Sequence, residues 1–265
     1  MIKKYIGSTT KEYTSLIEAL DLEEGDFRTS DFEAFNPGTL PIERKNPVIS
    51  VTGAGGKTTM ITRLAWEYRK KHIPVIVTTT THMKIEDAPW FVLESSMEAV
   101  MDVLSQEGVA WVGIPAEEGK MKAPPGWLFE QLLNCGCVVL IEADGAKRLP
   151  LKVPAEHEPV ILKETTHVVY VCGLDAAGKP FQEVCFRPAL AAEILHKSIT
   201  DQVCPEDILN LAFCSKGGKK SVLPTMKYSV ILNKADTWER EQTASKICSL
   251  AEMRGVTDIL VTALK

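Results

Sequence analysis

The segment Val48–Thr59, VISVTGAGGKTT, constrains the fold more than any other part of this chain. Its β-branched start predicts a strand, the run Gly53-Ala54-Gly55-Gly56 predicts a tight turn, and the apolar spacing within Lys57–His72 predicts a helix. Glycines let backbone N–H groups turn towards phosphate oxygens without Cβ clashes, and the start of a helix adds partial positive charge. The segment therefore predicts a phosphate-binding loop between a strand and a helix.

Phosphate chemistry explains the residues that follow the glycines. Lys57 can bridge the terminal phosphates of a nucleotide, the Thr58 hydroxyl can bind Mg²⁺, and Thr59 continues the binding turn. The spacing differs from the common G-x4-G-K-[ST] pattern, because Val51 stands where the first glycine of that pattern would be. The shortened form resembles the loops of Mur ligases. A glycine-rich turn without a ligand is the alternative, but it gives Lys-Thr-Thr no purpose at a helix start.

Strand and helix patterns alternate along most of the chain. The predicted strands are Val48–Thr52, Pro74–Thr80, Phe91–Leu93, Val109–Ile114, Cys137–Ala143, Val168–Cys172, Tyr228–Leu232 and Ile259–Thr262. The predicted helices are Lys57–His72, Ser95–Gln106, Trp127–Leu133, Pro188–His196, Pro205–Phe213 and Trp238–Arg254. Strands that are apolar on both faces predict a mostly parallel sheet covered by helices on both sides. The predicted fold class is therefore α/β, a three-layer α/β/α sandwich like that of P-loop NTPases.

The first 46 residues follow a different pattern. They predict an N-terminal helix over about Lys11–Leu20, followed by an extended arm, Gly25–Asn46, in which charged, glycine, proline and aromatic residues show no period. Residues 47–265 form the predicted nucleotide-binding domain. Within it, the stretch Glu117–Gly126, EEGKMKAPPG, predicts an exposed loop.

Composition excludes several classes of protein. The chain of 265 residues has 30 Lys and Arg against 35 Asp and Glu, and its net charge of −5 argues against a generically basic nucleic-acid binder. Its apolar stretches are shorter than the about 20 residues of a membrane-spanning helix. Its first residues lack the apolar core of a signal peptide. We therefore expect a cytoplasmic protein that binds neither nucleic acid nor membrane and that can form an oligomer.

The chain contains seven cysteines, an odd number that favours reduced thiols over a disulfide framework. The close pair Cys135-Gly136-Cys137 leads into an apolar run. It is either a set of small residues at the start of a strand or a thiolate site for a metal or for redox chemistry.

Two acids, Glu142 and Asp144, follow an apolar run that predicts a central strand. A carboxylate at the C-terminal end of a buried strand beside a phosphate loop is the Walker B arrangement for Mg²⁺. The two-residue period places both side chains on one side of the strand, so either can bind the metal or orient an attacking nucleophile. Lys147 and Arg148 come next and either neutralise charge on a transferred phosphoryl group or form an ordinary surface turn.

Four threonines and a histidine, at positions 78 to 82, lie at and just after the end of the predicted strand Pro74–Thr80. Open α/β sheets bind ligands at the C-terminal ends of their strands, so Thr80, Thr81 and His82 are candidate contacts for a ligand or a metal. The alternative is that these threonines serve only as strand formers.

The run Asn233-Lys234-Ala235-Asp236 follows a predicted strand and matches the N-K-x-D pattern of GTPases. The Asp236 carboxylate would accept from guanine N1–H and the exocyclic amine, a donor pair that adenine lacks. Asn233 would contact the base edge and neighbouring loops, and the Lys234 stem would pack over the base. Thr262-Ala263-Leu264 resembles the S-A-[KL] element, whose backbone N–H contacts guanine O6. The alternative is a helix cap at Asp236.

These blocks together resemble the YqeC family, whose members are described as accessory proteins of selenium-dependent hydroxylases. The similar blocks are the GAGGKTT loop, the TTTTHM strand end, EADGAKRLPLK from Glu142, PAEHEPVI from Pro154, and Gly173-Leu174-Asp175 with the following Gly178-Lys179-Pro180 and Arg187-Pro188. The similarity covers about Val48 to Lys265. The chain departs from the family in an insertion-like stretch, Asp26–Asn46, and in Cys185-Phe186, where the resemblance leads us to expect a histidine near the arginine.

The resemblance implies a P-loop protein that is encoded alongside selenium-dependent molybdenum hydroxylases and helps to mature their cofactor. Within its blocks, His157 and Asp175 are candidate contacts for a second substrate. Arg187 at a helix start suits an anion, such as a pterin phosphate or a transferred phosphate.

We therefore expect Mg²⁺-dependent binding of GTP or ATP, with hydrolysis that supports maturation of a selenium-dependent molybdenum hydroxylase or of its cofactor. The expected partners are the nucleotide and either a molybdenum hydroxylase or a molybdenum-cofactor intermediate. The catalytic candidates are Lys57, Glu142, Asp144, Lys147 and Arg187. The alternatives are a small-molecule kinase, Mur-like ligase or nucleotidyl transferase that acts on a cofactor precursor, and a nucleotide-bound chaperone without chemistry.

Overall fold

The computed structural model describes residues 1–6, 9–22, 46–117 and 119–264 of the chain. The strands in these residues are, in chain order, β1 (Ile2–Ile6), β2 (Thr9–Tyr13), β3 (Val48–Gly53), β4 (Val75–Thr79), β5 (His82–Lys84), β6 (Phe91–Val92), β7 (Val109–Val112), β8 (Ile114–Pro115), β9 (Lys120–Lys122), β10 (Val138–Glu142), β11 (Leu151–Lys152), β12 (His167–Gly173), β13 (Cys185–Phe186), β14 (Lys227–Asn233) and β15 (Ile259–Thr262). The helices are, in the same order, α1 (Leu16–Ala19), α2 (Lys57–Lys70), α3 (Met97–Glu107), α4 (Gly126–Asn134), α5 (Phe181–Val184), α6 (Pro188–Leu195), α7 (Pro205–Phe213) and α8 (Trp238–Met253).

A ten-stranded sheet in the order β2-β1-β15-β14-β12-β3-β10-β4-β7-β6 forms the centre of the fold. From β15 to β6 all neighbouring strands are parallel, whereas β1 is antiparallel to both β15 and β2. Strands β3, β4, β10 and β12 are buried along their whole length, which explains their continuous apolar sequences. The predicted mostly parallel sheet is confirmed.

Helices cover both faces of this sheet. On one face, α1 and α2 pack against β3, β4 and β10 through side chains such as Leu16, Met60 and Leu64. On the other face, α3 and α4 cover the half that contains β4, β7 and β10, and α6, α7 and α8 cover the half that contains β12, β14 and β15. The predicted three-layer α/β/α architecture is confirmed.

Three tryptophans join α2 to the strands beneath it. The ring centroids of Trp66 on α2, Trp90 before β6 and Trp111 on β7 lie 5.0, 5.9 and 6.4 Å apart. Such aromatic contacts add to the stabilisation from buried apolar area, so this cluster fixes the helix that begins at Lys57.

The N-terminal helix predicted over Lys11–Leu20 is wrong. Residues Thr9–Tyr13 form β2, and the helix α1 is limited to Leu16–Ala19. All five residues of β2 pair with β1, which itself pairs with β15. These backbone hydrogen bonds outweigh the local preference of the segment for a helix. The predicted arm Gly25–Asn46 lies outside the described residues, except for Asn46.

The exposed loop predicted over Glu117–Gly126 is also only partly correct. Residues Lys120–Lys122 form β9, which lies between β5 and β8 in a small antiparallel sheet. The alternation Lys-Met-Lys buries Met121 completely while both lysines remain more accessible, which is the two-residue period of a strand.

The close cysteine pair lies where α4 meets β10. Cys135 and Cys137 are both buried, and the Cys135 thiol donates to the Leu132 carbonyl at 3.2 Å. Among the described residues there is no group of three or more His, Cys, Asp or Glu side chains arranged to hold a metal ion. The burial of both thiols and the hydrogen bond of Cys135 agree with small residues at a strand start.

Long apolar helices are missing from the parts of the chain that the structure describes, where no helix has both the length and the hydropathy needed to cross a membrane.

Candidate functional site

The phosphate loop is the glycine-rich turn between β3 and α2. Gly53, Gly55 and Gly56 have φ angles of 89°, 76° and 134°, in the left-handed region that favours glycine. A Cβ on Gly55 would lie 2.3 Å from the Gly173 amide nitrogen, and one on Gly56 would lie 2.3 Å from Nδ2 of Asn233. The glycines are therefore required both by the backbone conformation and by the close approach of two neighbouring loops.

Three amides of this loop donate to protein acceptors. The N–H groups of Gly53, Ala54 and Gly55 donate to Asp144 Oδ2 at 3.1 Å, to the Val171 carbonyl at 2.8 Å and to the Leu149 carbonyl at 3.2 Å. A helix offers no internal acceptor to its first four amides, which in α2 belong to residues 56 to 59. The donors that α2 directs towards an anion are therefore those of Gly56 to Thr59 rather than those of the earlier loop residues.

Lys57 and Thr58 bring the loop into contact with both acids at the end of β10. The Lys57 ammonium is 5% exposed, donates to the Gly53 carbonyl at 2.9 Å, and lies 3.2 Å from Asp144 and 3.9 Å from Glu142. The Thr58 hydroxyl donates to Glu142 Oε2 at 2.9 Å. The structure thus brings together Lys57, Thr58, Glu142 and Asp144, four of the polar side chains that the sequence analysis assigns to phosphate and metal binding.

The two acids have different partners. Glu142 bonds to the Thr58 hydroxyl, and burial raises the pKa of its carboxyl although the Lys57 ammonium opposes that shift. Asp144 holds the Gly53 amide and lies between two ammonium groups, those of Lys57 and Lys152. The geometry therefore distinguishes Glu142, which bonds to the Thr58 hydroxyl, from Asp144, which holds the loop amide, a distinction that the two-residue period alone does not make.

Lys152 is a member of the site that the sequence reasoning missed. Its fully buried ammonium lies 3.0 Å from Asp144 Oδ2 and 2.7 Å from Glu158 Oε2, and it donates to the Gly145 carbonyl at 2.6 Å. The parallel pair β11–β13 places it beside Phe186. A lysine within the apolar run LPLKVP was the available signal.

Arg187 extends this chain of charges. Its guanidinium bonds to Glu158 Oε2 at 2.8 Å and to the Val153 carbonyl at 3.1 Å, and lies 4.1 Å from the centre of the Phe186 ring. Burial raises the pKa of Glu158, but hydrogen bonds from Arg187 and Lys152 outweigh burial and bring that pKa to about 2. The predicted anion-binding arginine is thus already paired with a carboxylate of its own chain.

The predicted base-reading loop lies next to the phosphate loop. Asn233 donates to the Gly55 carbonyl at 3.1 Å and accepts from the Thr262 hydroxyl at 2.9 Å and from the Leu264 amide at 3.1 Å. Asn233 therefore joins the phosphate loop to the end of β15 and the segment after it. This agrees with the expectation that Asn233 contacts neighbouring loops.

The other members of this loop make internal ion pairs. Lys234, with φ 67°, pairs with Asp175 at 2.8 Å, and Asp236 pairs with Arg240 at 2.5 Å. The N-cap of α8 is Thr237, whose hydroxyl accepts from the Arg240 amide, so the cap role considered for Asp236 belongs to its neighbour.

The amide predicted to contact guanine O6 has a different partner. The Ala263 N–H donates to the Met1 carbonyl at 3.2 Å, because β1 runs beside β15 with Ile2 opposite Thr262. The antiparallel N-terminal strand, which the sequence had not predicted, supplies this partner, and contact of the element with guanine O6 stays a prediction.

A family model described as YqeC protein matches residues 49–189 of this chain. The chain belongs to the YqeC family. The matched region contains the phosphate loop, Glu142 and Asp144, and the charged residues Lys152, Glu158 and Arg187. The sequence analysis expected the similarity to this family to extend from Val48 to about Lys265, so the matched region is shorter than expected. The Asn233–Asp236 loop lies outside the matched region.

Relatives of the chain add the following comparisons. The uncharacterized protein YqeC of Escherichia coli (strain K12) is 35% identical over 140 residues, which are 51% of this chain and 54% of that relative. The chain thus matches this curated YqeC protein over about half of that protein's length. The crystal structure of HypB from Helicobacter pylori in complex with nickel aligns with 82% of this chain and 78% of its own, with 11% identity and a TM-score of 0.34. Similarity at that level is not evidence for a shared function.

The remaining candidates in this YqeC family member lie at different distances from the loop. Thr80 comes near the acids, since its amide donates to the Glu142 carbonyl at 3.1 Å, and its buried hydroxyl has no hydrogen-bond partner among the described residues. Thr81 donates its amide to the Thr79 hydroxyl at 3.0 Å. His82 is exposed on β5, where its backbone lies opposite that of Lys122 in the small antiparallel sheet. His157 is exposed in the loop before Glu158.

Lys147 and Arg148 form a turn in which both residues have left-handed φ angles, 48° and 63°. Both side chains are exposed, and the Lys147 ammonium lies 5.2 Å from the Phe186 ring. Lys147 and Arg187 therefore both lie at the Phe186 ring. Arg187 is linked from there to Asp144 through ion pairs with Glu158 and Lys152.

Proposed function

We propose that this member of the YqeC family binds the Mg²⁺ complex of a nucleoside triphosphate at the start of α2. The observation that carries the proposal is the hydrogen bond from the Thr58 hydroxyl to Glu142, with the Lys57 ammonium next to the same carboxylate. A glycine turn, a lysine, a hydroxyl and a strand-end acid together supply what phosphate and metal recognition need. Packing alone would not require this set.

The residues present suit Mg²⁺. Thr58 and Glu142 are hard oxygen ligands, and they already lie in contact at 2.9 Å. When bound, Mg²⁺ would neutralise charge on the terminal phosphates. We assign the metal to Thr58 and Glu142 rather than to Asp144, because Asp144 is engaged by Gly53, Lys57 and Lys152.

For the reaction, we propose hydrolysis of the bound nucleotide. Lys57 would hold the β and γ phosphates, and the amides at residues 56 to 59 would stabilise the charge on them. Catalysis of this kind is mainly positioning and electrostatic stabilisation, which a buried, water-poor site strengthens. The burial of Lys57, Glu142 and Asp144 supports this part of the proposal.

For the base, we propose that the loop from Asn233 to Asp236 contacts the nucleobase, with GTP favoured over ATP. The link from Asn233 to the Gly55 carbonyl supports this, since it joins the loop for the base to the loop for the phosphates. The ion pair of Asp236 with Arg240 means that guanine would have to share or replace an existing partner of that carboxylate.

For the biological role, we propose support for maturation of a selenium-dependent molybdenum hydroxylase or of its cofactor. Membership of the YqeC family supports this, because the blocks from Glu142 and Pro154 carry the resemblance to hydroxylase accessory proteins. Turnover of nucleotide that rises on addition of the apo-hydroxylase or of a molybdenum-cofactor intermediate is the expected result. A rate unchanged by either addition would contradict this role.

The first experiment is calorimetric titration of the protein with Mg·GTP and Mg·ATP. Lys57→Met should abolish binding of both, because the phosphates lose their only contact from an ammonium on this loop. Lys70→Met, at the exposed end of the same helix, is the matched control and should bind as the wild type does. Tight binding by Lys57→Met would remove the phosphate-loop assignment.

A transferase is the second candidate function, because Lys147 and Arg187 lie together around Phe186 at the end of the charged chain. These cations would suit an anionic acceptor of a phosphoryl or nucleotidyl group. Mass spectrometry of a cofactor precursor incubated with protein and nucleotide distinguishes the cases. A mass increase by a phosphoryl or nucleotidyl group supports transfer, free phosphate alone supports hydrolysis, and intact nucleotide supports a chaperone without chemistry.

A further inference from the structure

Lys152 is a buried charged residue to which the proposed function gives no role. Its side chain has 0% exposure, yet β11, which carries it, is only two residues long. Removing an ammonium group from water is costly unless carboxylates and hydrogen bonds compensate it. Lys152 has three such partners among the described residues, Asp144, Glu158 and the Gly145 carbonyl. Of these, Asp144 also accepts the hydrogen bond of the Gly53 amide in the phosphate loop.

Asp144 connects Lys152 to the phosphate site. Its Oδ2 accepts from the Gly53 amide at 3.1 Å and lies 3.0 Å from the Lys152 ammonium. Its other oxygen lies 3.2 Å from the Lys57 ammonium. One carboxylate thus holds the first glycine of the loop and pairs with two lysines on opposite oxygens.

The charges around Lys57 explain why a second lysine is needed. Two carboxylates, Glu142 and Asp144, lie within 3.9 Å of the Lys57 ammonium. Phosphate groups bring several more negative charges to the same place, and charges at such distances interact strongly in a buried site. Without another cation, Asp144 would both retain Lys57 and repel the phosphates.

We infer that Lys152 is a positioning residue of the phosphate site, which holds Asp144 against the loop and balances its charge so that Lys57 is available to a triphosphate. Lys152 acts through Asp144 and does not itself contact the nucleotide. The inference rests on the proposed function, because it concerns the nucleotide bound at the same loop.

The test uses two double variants of the full chain that preserve the balance of buried charge. K152M/E158Q removes the lysine and its remote carboxylate, so that Asp144 loses its partner. K152M/D144N removes the lysine and the carboxylate through which it acts. Each is compared with the single variant E158Q or D144N by calorimetric titration with Mg·GTP and Mg·GDP, or with Mg·ATP and Mg·ADP if the wild type prefers adenine.

We expect K152M/E158Q to bind the triphosphate about tenfold or more weakly than E158Q does, because Asp144 then keeps Lys57 as its one cation partner among the described residues and competes with the phosphates for it. The loss should be larger for the triphosphate than for the diphosphate, since the triphosphate carries more charge. A purely structural defect would weaken both ligands alike. K152M/D144N should bind within about twofold of D144N, the usual error of additive effects.

Three results would overturn the inference while leaving nucleotide binding intact. K152M/E158Q could bind both ligands as E158Q does, K152M/E158Q could lose affinity equally for both ligands, or K152M/D144N could be weakened as strongly as K152M/E158Q. If the wild type bound no nucleotide, the proposed function would fail and the inference with it. Thermal unfolding shows whether each variant is folded. If K152M/E158Q or K152M/D144N is unfolded, the same comparison is made with K152Q in place of K152M, since glutamine keeps a donor for the Gly145 carbonyl.

Discussion

At the scale of single residues, Glu158 is stabilised as a carboxylate by two cations. Its pKa is about 2 in the folded protein, below the ordinary value of 4.5. A depressed pKa contributes stability that is fully present above pH 4.5 and is lost as the pH falls towards 2. Glu158→Gln should therefore lower the free energy of unfolding at neutral pH by about 1 to 2 kcal/mol, allowing for partial solvent screening. The deficit should shrink as the pH falls through this window.

Urea unfolding of both proteins at a series of pH values measures this effect. Glu156→Gln, an exposed change two residues earlier, is the matched control and should follow the wild type at every pH. A constant difference between Glu158→Gln and the wild type across the acidic range would contradict the assignment.

The site residues that the sequence could predict are those that belong to one local motif. Lys57 and Thr58 follow a glycine turn, and Glu142 ends an apolar run, so their proximity follows from parallel strand order. Lys152 could not be predicted in the same way. Its partners, Asp144 and Glu158, come from two different loops, and the pairing of β11 with β13 that fixes its place involves only four residues.

At the scale of elements, the phosphate loop depends on the space available at Gly56. Gly56→Ala should lower stability by about 2 kcal/mol or more and abolish nucleotide binding, because its Cβ would meet the Asn233 amide at a φ of 134°. Gly178 also has a positive φ, 78°, but a Cβ there would meet nothing within 4 Å, so Gly178→Ala should cost about 1 kcal/mol from backbone strain alone. Thermal unfolding and nucleotide titration compare the two variants, and equal effects would rule out the steric explanation.

The proposed contact of the loop between β14 and α8 with the nucleobase is tested at Asp236. Asp236→Asn should weaken GTP about tenfold more than ATP, because only guanine offers the donor pair that a charged carboxylate accepts. Glu239→Gln, an exposed change in the first turn of α8, is the control and should leave both affinities unchanged. Parallel titrations measure both nucleotides. Equal loss of GTP and ATP in Asp236→Asn would remove the guanine preference.

Elements with a clear hydrophobic period were predicted well, and those without one were not. Pro205–Phe213 and Ile259–Thr262 have the predicted bounds, since proline at a helix start and a β-branched run are local signals. Thr9–Tyr13 carries no such signal, because its burial pattern is exposed at almost every position. Its strand structure comes from pairing with β1, a contact that local sequence does not encode.

At the scale of the whole molecule, β1 and β2 extend a parallel sheet by an antiparallel hairpin. This hairpin covers the edge of β15, and Ile2 is buried in the core shared with α2. Deletion of residues 1–13 should lower the melting temperature by about 5 °C or more and cause concentration-dependent association through the exposed edge.

Calorimetry and light scattering at several protein concentrations test this prediction, with Thr10→Ala on the exposed edge strand as the control. A truncated protein that associates no more than the wild type and melts at the same temperature would show that the hairpin is not needed for the sheet.

The three tryptophans that attach α2 to the sheet give the molecule an intrinsic optical reporter. Indole rings 5.0 to 6.4 Å apart change their emission when their packing changes, and Trp66 stands on the helix whose first turn holds Lys57 and Thr58. Ligand-induced adjustment of that helix would therefore be visible as a change in ultraviolet fluorescence, without any dye or label. Stopped-flow mixing could then follow the arrival and departure of a nucleotide in real time.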